Sequence, residues 1–144
     1  MTYLLVIMGI IPAPLVFESL EGEHTLVDQV RIACEGKGTD AVGQYLADYL
    51  EERYELQADV DVAEPSGSTC EGDVVLTRVS EPIDSLANLA VPSEAYELEV
   101  TEFAINIRAM ENHGLFNGVQ TLIQLLPAAA TLDAISLQCV KARA

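Results

Sequence analysis

The chain has 144 residues, half of them hydrophobic, with 7 Lys and Arg against 23 Asp and Glu and a formal charge of −16. That is the length of one domain, apolar enough to exclude intrinsic disorder and long enough to bury a core without a metal or disulfide staple. So few cations exclude a nucleic-acid partner, whose binding rests on Lys and Arg displacing counterions, and an anionic membrane surface.

Tyr3 to Phe17 is the most apolar stretch, but Gly9, Pro12 and Pro14 interrupt it. It is therefore no spanning helix, which needs about 20 apolar residues. Residues 1–9 read either as a buried strand or as a degenerate signal without a positive n-region or a small-residue cleavage site. The domain proper is expected over 10–140, with 141–144 as a tail.

Beyond the Pro12-Ala13-Pro14 corner, Leu15 to Leu20 reads as a strand, Glu21-Gly22-Glu23 as a turn and His24 to Leu26 as a short strand. Val27 to Cys34 carries Val30, Ile32 and Cys34 at period two, as a half-buried strand does. Gly36-Lys37-Gly38 breaks the chain, and Thr39 or Asp40 caps a helix to about Tyr54. Val42, Tyr45, Leu46, Tyr49 and Leu50 form its apolar stripe, while Asp48, Glu51, Glu52 and Glu55 face water.

Ala58 to Ala63 alternates, with Val60 and Val62 inward and Asp59 and Asp61 outward. Pro65 to Ser68 is a loop, Val74 to Leu76 a short strand, and Ser80 to Ser93 a long loop. Tyr96, Leu98 and Val100, then Phe103, Ile105 and Ile107, predict an antiparallel hairpin turning at Thr101-Glu102. A second helix opens at Asn112–Gly114 and stops at Pro127, and Ile135 to Val140 is a last strand. One partly antiparallel sheet with two helices is an α+β domain.

The chemistry-bearing patterns are sparse. Cys34, Cys70 and Cys139 are too scattered for a disulfide framework, and His24 and His113 lie outside any zinc-ligand spacing. Neither a G-x-S-x-G elbow nor a Ser-x-x-Lys occurs. Gly36 to Ala41 fits a G-x-G-x-x-A dinucleotide fingerprint, with Asp59 and Asp61 about 20 residues on where a ribose acceptor is sought. However, a first dinucleotide-binding strand is apolar on both faces, and this one carries Asp28, Gln29, Arg31 and Glu35. A Gly-rich turn ahead of a helix is the simpler reading, and no cofactor is expected.

The stretch from Gly114 to Pro127 asks for more. Leu115, Val119, Leu122, Ile123 and Leu126 supply a core stripe, with Leu122 and Leu126 expected to be fully buried. Gly114 and Gly118 allow close backbone approach, and Gln120 and Gln124 share one exposed side. This stretch closely resembles the signature of the non-catalytic domain that precedes the barrel in family 20 glycoside hydrolases, the β-N-acetylhexosaminidases and chitobiases. The matching positions are Gly114, Phe116, Gly118, Gln120, Thr121, Leu122, Gln124, Leu126 and Pro127, while Asn117 stands where that family usually has an aromatic residue. Ile10 to Pro14 is similar to the family's opening, and Ser93 to Leu98 with Ile105 to Ile107 to its hairpin.

The resemblance implies a single mostly antiparallel sheet with the two main helices packed on one face. It also implies an extracellular, periplasmic or lysosomal-type setting. It brings no catalytic residue, because the family's adjacent Asp-Glu pair sits in a following (β/α)₈ barrel, and these residues contain no Asp-Glu dipeptide. The expected role is an accessory domain without its barrel, acting by packing against another protein chain or by self-association. A repurposed structural or assembly subunit and a nucleotide module using Gly36 to Ala41 are the alternatives. Direct carbohydrate binding is disfavoured by the lack of Trp and an aromatic content of 6%.

Overall fold

In the computed structural model, which describes residues 16–27, 29–63, 73–79, 94–126 and 134–143, the alternating runs become strands and the two periodic segments become helices. In chain order these are β1 (Val16–Val27), β2 (Val30–Glu35), α1 (Thr39–Tyr54), β3 (Ala58–Ala63), β4 (Val74–Arg78), β5 (Glu97–Val100), β6 (Ile105–Ala109), α2 (Asn112–Leu125) and β7 (Ala134–Arg143). The strands form one sheet in the order β1-β7-β5-β6-β4-β2-β3.

The α+β class holds, with a division inside the sheet. Strands β1, β7, β5 and β6 pair antiparallel, whereas β6, β4, β2 and β3 pair parallel. Parallel neighbours need a crossover rather than a hairpin. Helix α1 makes the crossover from β2 to β3, and α2 carries the chain from β6 over to β7 on the far side of β5.

Both helices lie on one face, α1 over β2, β3 and β4 and α2 over β4, β5 and β6, and they touch each other. Val42, Leu46 and Leu50 of α1 and Leu115, Val119 and Leu122 of α2 are buried in one core with Ile32, Leu76, Leu98, Ile105 and Ile107 of the sheet. Glu51 and Glu52 face water as expected. Glu55 is exposed as well and forms the cap: it turns left-handed at φ 57°, its N–H donates to the Glu51 carbonyl, and the Leu56 N–H reaches back to that of Leu50. Leu56 thereby closes onto the core, 1% exposed.

The far face of the sheet carries charge. Register places Lys141, Glu99 and Asn106 in one cross-strand row and Arg143, Glu97 and Arg108 in the next. Arg108 pairs with Glu97 at 3.3 Å, Lys141 with Glu99 at 3.9 Å, and Arg31 with Asp61 at 3.6 Å. Exposed pairs of this kind contribute roughly 0–1 kcal/mol each, so they solvate this face more than they hold it.

Six expectations are corrected. Neither Thr39 nor Asp40 caps α1: Gly38, at φ 81°, holds the cap position with no side-chain cap bond, and the hydroxyl of the already helical Thr39 turns to the Gly36 carbonyl. The turn at Glu21 to Glu23 is an irregularity inside one continuous strand, between Ser19 and Glu23, where Gly22 has φ 100°. The run from Val27 to Cys34 is split, because Gln29 turns at φ 65° between β1 and β2. Val62 is 59% exposed, since β3 is an edge strand with little beyond β2 to cover it. The hairpin turn spans Thr101 to Ala104 and leaves Phe103 87% exposed; the Thr101 hydroxyl donates to the Ala104 carbonyl and accepts from the N–H groups of Phe103 and Ala104, closing the turn before the alternation resumes. Finally, Lys141 to Arg143 are part of β7, paired with β1 and β5, and not a tail. The expectations for residues 1–15, Pro65 to Ser68, Cys70, Ser80 to Ser93 and Pro127 fall outside the described residues.

Candidate functional site

The signature residues act mainly in placing α2. A Cβ on Gly114 would stand 2.2 Å from the Ala95 carbonyl oxygen and 2.9 Å from the Ala109 Cβ. One on Gly118 would meet the Ile107 Cγ2 at 2.5 Å and the Tyr96 ring at 3.3 Å. The two glycines thus let the helix settle onto β6 and the approach to β5. Beneath them Thr121, fully buried, hydrogen-bonds the buried Tyr96 hydroxyl. Burial pushes the Tyr96 phenol above its ordinary value, with the Thr121 bond pulling the other way. Leu122 and Leu126 are 1% and 7% exposed, as the helix stripe required.

On its outer side α2 meets α1. Phe116 lies edge-on to Tyr45, ring centroids 5.1 Å apart at 60°, and the Gln120 side-chain amide donates to the Tyr45 hydroxyl at 3.1 Å. Gln124 donates back to the Gln120 carbonyl at 3.2 Å. Asn117, the departure from the signature, donates to the Glu94 carbonyl at 3.0 Å and ties the helix to the segment before β5. Tyr45 and Phe116 remain 42% and 37% exposed. Around Phe116 the α2 side of this contact is uncharged, because α2 contains no Asp, Glu, Lys or Arg, whereas on α1 the exposed Asp48 follows Tyr45 by one turn.

The Gly36–Ala41 loop joins β2 to α1 and opens a parallel crossover, as a dinucleotide fingerprint would. Two of its carbonyls and the Thr39 hydroxyl are engaged within the protein. The Lys37 carbonyl accepts from Arg78 Nη1 at 3.3 Å and Asn112 Nδ2 at 2.9 Å, and the Thr39 hydroxyl donates to the Gly36 carbonyl at 2.8 Å. Arg78 also donates through Nε to the Met110 carbonyl at 3.3 Å and pairs with Glu111 at 3.0 Å. One guanidinium therefore ties together the entries of both helices. The cleft here, about 510 Å³, is lined by Glu35 and Glu111 as well as Lys37 and Arg78, so its acids offset its cations and it offers a pyrophosphate no net positive charge. Asp61 is spent on Arg31, and Asp59 stays exposed on β3.

The remaining sequence candidates are dispersed. His24 is buried on β1 with Nδ1 bonded to the Thr101 carbonyl at 2.9 Å, while His113 is exposed on α2, 3.9 Å from Glu94. Cys34 and Cys139 are buried on β2 and β7 with three strands between them, and are not joined in a disulfide. Among the described residues no three His, Cys, Asp or Glu side chains converge on a point that could hold a metal. The Tyr45–Gln120 link across 75 residues is the feature that sequence reasoning missed. The exposed Gln120–Gln124 stripe was its only signal.

A split sheet with both helices on one face and a glycine-seated second helix defines an α+β domain of the hexosaminidase domain 2 type. The family model for glycosyl hydrolase family 20, domain 2, matches residues 8–143, and the chain belongs to that family. Among curated proteins, the β-hexosaminidase of Porphyromonas gingivalis (strain ATCC BAA-308 / W83) is 27% identical over 122 residues, which are 84% of this chain and 14% of that protein. The N-acetyl-β-hexosaminidase of Streptomyces plicatus superposes with a TM-score of 0.72 at 24% identity, over 95% of this chain and 26% of that one. The GH20 β-N-acetylhexosaminidase of Streptomyces coelicolor A3(2) gives 0.69 at 25% identity, over 92% and 26%. The chain thus spans about a seventh of the curated relative and a quarter of these structures.

Proposed function

We propose that this chain is a non-catalytic accessory domain of the β-hexosaminidase type that works by docking the outer surface of its helix pair onto another folded protein region. The observation that carries this reading is the exposed Tyr45–Phe116 pair on the uncharged side of the signature helix, in a chain of net charge −16. Aromatic residues anchored by packing and hydrogen bonds are the usual centres of protein interfaces, and the charged far face of the sheet is suited to water.

Two experiments test it. The purified chain should not hydrolyse an aryl N-acetylglucosaminide, because it holds no adjacent Asp-Glu pair; turnover that survives repurification would contradict the non-catalytic role. A photo-crosslinking phenylalanine analogue in place of Phe116 should form an adduct with another polypeptide, or with a distant segment of a longer chain. No adduct at that position would remove the docking face.

A further inference from the structure

We infer that Asn117–Gly118 is a self-modification site: the asparagine loses its amide nitrogen when the middle of α2 opens, and the product no longer lets the helix reseat. Of the four asparagines, Asn88, Asn106 and Asn112 precede Leu, Ile and His, and Asn117 alone precedes glycine. A glycine leaves its own backbone nitrogen unhindered and free to turn toward the side chain before it. That nitrogen can then attack the Asn117 Cγ. The bond from the Gly118 nitrogen to Cγ forms, the Cγ–Nδ2 bond breaks, and the proton of the attacking nitrogen leaves with Nδ2 as ammonia. Water opens the resulting cyclic imide at either carbonyl, giving aspartate or isoaspartate.

The closed helix withholds both reacting groups. Inside α2 the Gly118 N–H belongs to the helical hydrogen-bond ladder, which holds the 117–118 peptide along the helix axis. The Asn117 carboxamide is tied to the Glu94 carbonyl, 3.0 Å from Nδ2. Reaction therefore waits for local opening, the kind of fluctuation that amide exchange reports. The close packing of Gly118 then makes the change permanent. Isoaspartate routes the main chain through the side chain of residue 117 and lengthens it by a methylene just before Gly118. The Ile107 methyl and the Tyr96 ring lie 2.5 and 3.3 Å from where a Cβ on Gly118 would stand, so the seat has no slack to absorb it. Aspartate keeps the backbone but sets a carboxylate against the Glu94 carbonyl, two acceptors with no proton between them.

The test incubates the full chain at mildly alkaline pH, folded and in urea, and locates by fragment masses the amide-to-acid change at each asparagine. Asn117 should convert first in urea, and about tenfold or more slowly in the folded chain. Thr121→Val, which removes the buried bond beneath α2, should speed the folded reaction about fivefold or more. In the Asn117→Gln chain position 117 should stay unconverted. The converted chain, separated by its added negative charge, should unfold at a lower urea concentration than the unaltered one. Equal rates folded and unfolded would mean that α2 does not guard the site, and no preference for Asn117 in urea would remove the site itself. A converted chain with an unchanged urea midpoint would overturn the loss of the seat.

Discussion

Helices α1 and α2 lie side by side on the same face of the sheet, yet different means hold them there. Helix α2 is seated by shape: two glycines bring its backbone against Ala95, Ala109 and Ile107, and the Thr121–Tyr96 bond locks it below. Helix α1 is held by side-chain burial, with Val42, Leu46 and Leu50 inside and a capped last turn. It has one close glycine of its own. A Cβ on Gly43 would meet the Cys34 sulfur at 2.6 Å and the Val60 and Ile32 methyls at 3.3 and 3.4 Å. Those are side-chain atoms that can shift, whereas the Ala95 carbonyl facing Gly114 is backbone. A helix seated on backbone has one position available to it; a helix seated on side chains has some play.

The largest effect should come from emptying the shared core. Leu122→Ala is expected to cost about 2–5 kcal/mol, read from the urea midpoint, and Leu50→Ala a similar amount. A small loss at Leu122 would mean that α2 contributes less apolar burial than its placement requires. The glycines separate the two helices more sharply. Gly114→Ala should cost about 1–3 kcal/mol through overpacking, and Gly43→Ala distinctly less. Equal losses would erase the distinction between backbone and side-chain seating.

Thr121→Val keeps the shape but leaves the buried Tyr96 hydroxyl without its partner, at about 1–3 kcal/mol. If denaturation shows no change, the bond does not hold α2. The smallest effect is expected in alkali. Burial first, and the Glu102 and Glu23 carboxylates next, push the Cys139 thiol up, and burial raises the Tyr96 phenol. Both acids are held neutral in the folded state. Their contribution is complete below the ordinary values, about 8.5 for Cys and 10 for Tyr, and is lost as pH rises through the folded ones. Melting temperature should therefore fall above about pH 9, and Cys139→Ser or Cys139→Ala should remove the earlier part of the fall.

The helices were legible because Leu46 and Leu50, or Leu115, Val119 and Leu122, recur at the helical period whatever surrounds them. The β5–β6 pair was legible for the same reason at period two. Phe103 was not, because it extends the apolar alternation of Ile105 and Ile107 by one step, while a hydroxyl two residues earlier in the chain closes the turn. The parallel half of the sheet was also hidden. Nothing local in Val74 to Leu76 says that it inserts between β2 and β6; that is settled by the crossovers and by which edges remain free. At the candidate site the signature residues were all in view, but their meeting with Tyr45 depends on two helices far apart in the chain.

The pairing of Val16 with Arg143 puts the start of β1 and the end of β7 side by side at one edge of the sheet. A load drawn through the chain at those two points pulls across the strands and not along them. It would open the β1–β7 ladder one rung at a time, as a zipper parts, instead of shearing many hydrogen bonds at once. Pulled this way the domain should yield at low force in single-molecule stretching, with β1 leaving first and the helix-bearing core still closed behind it.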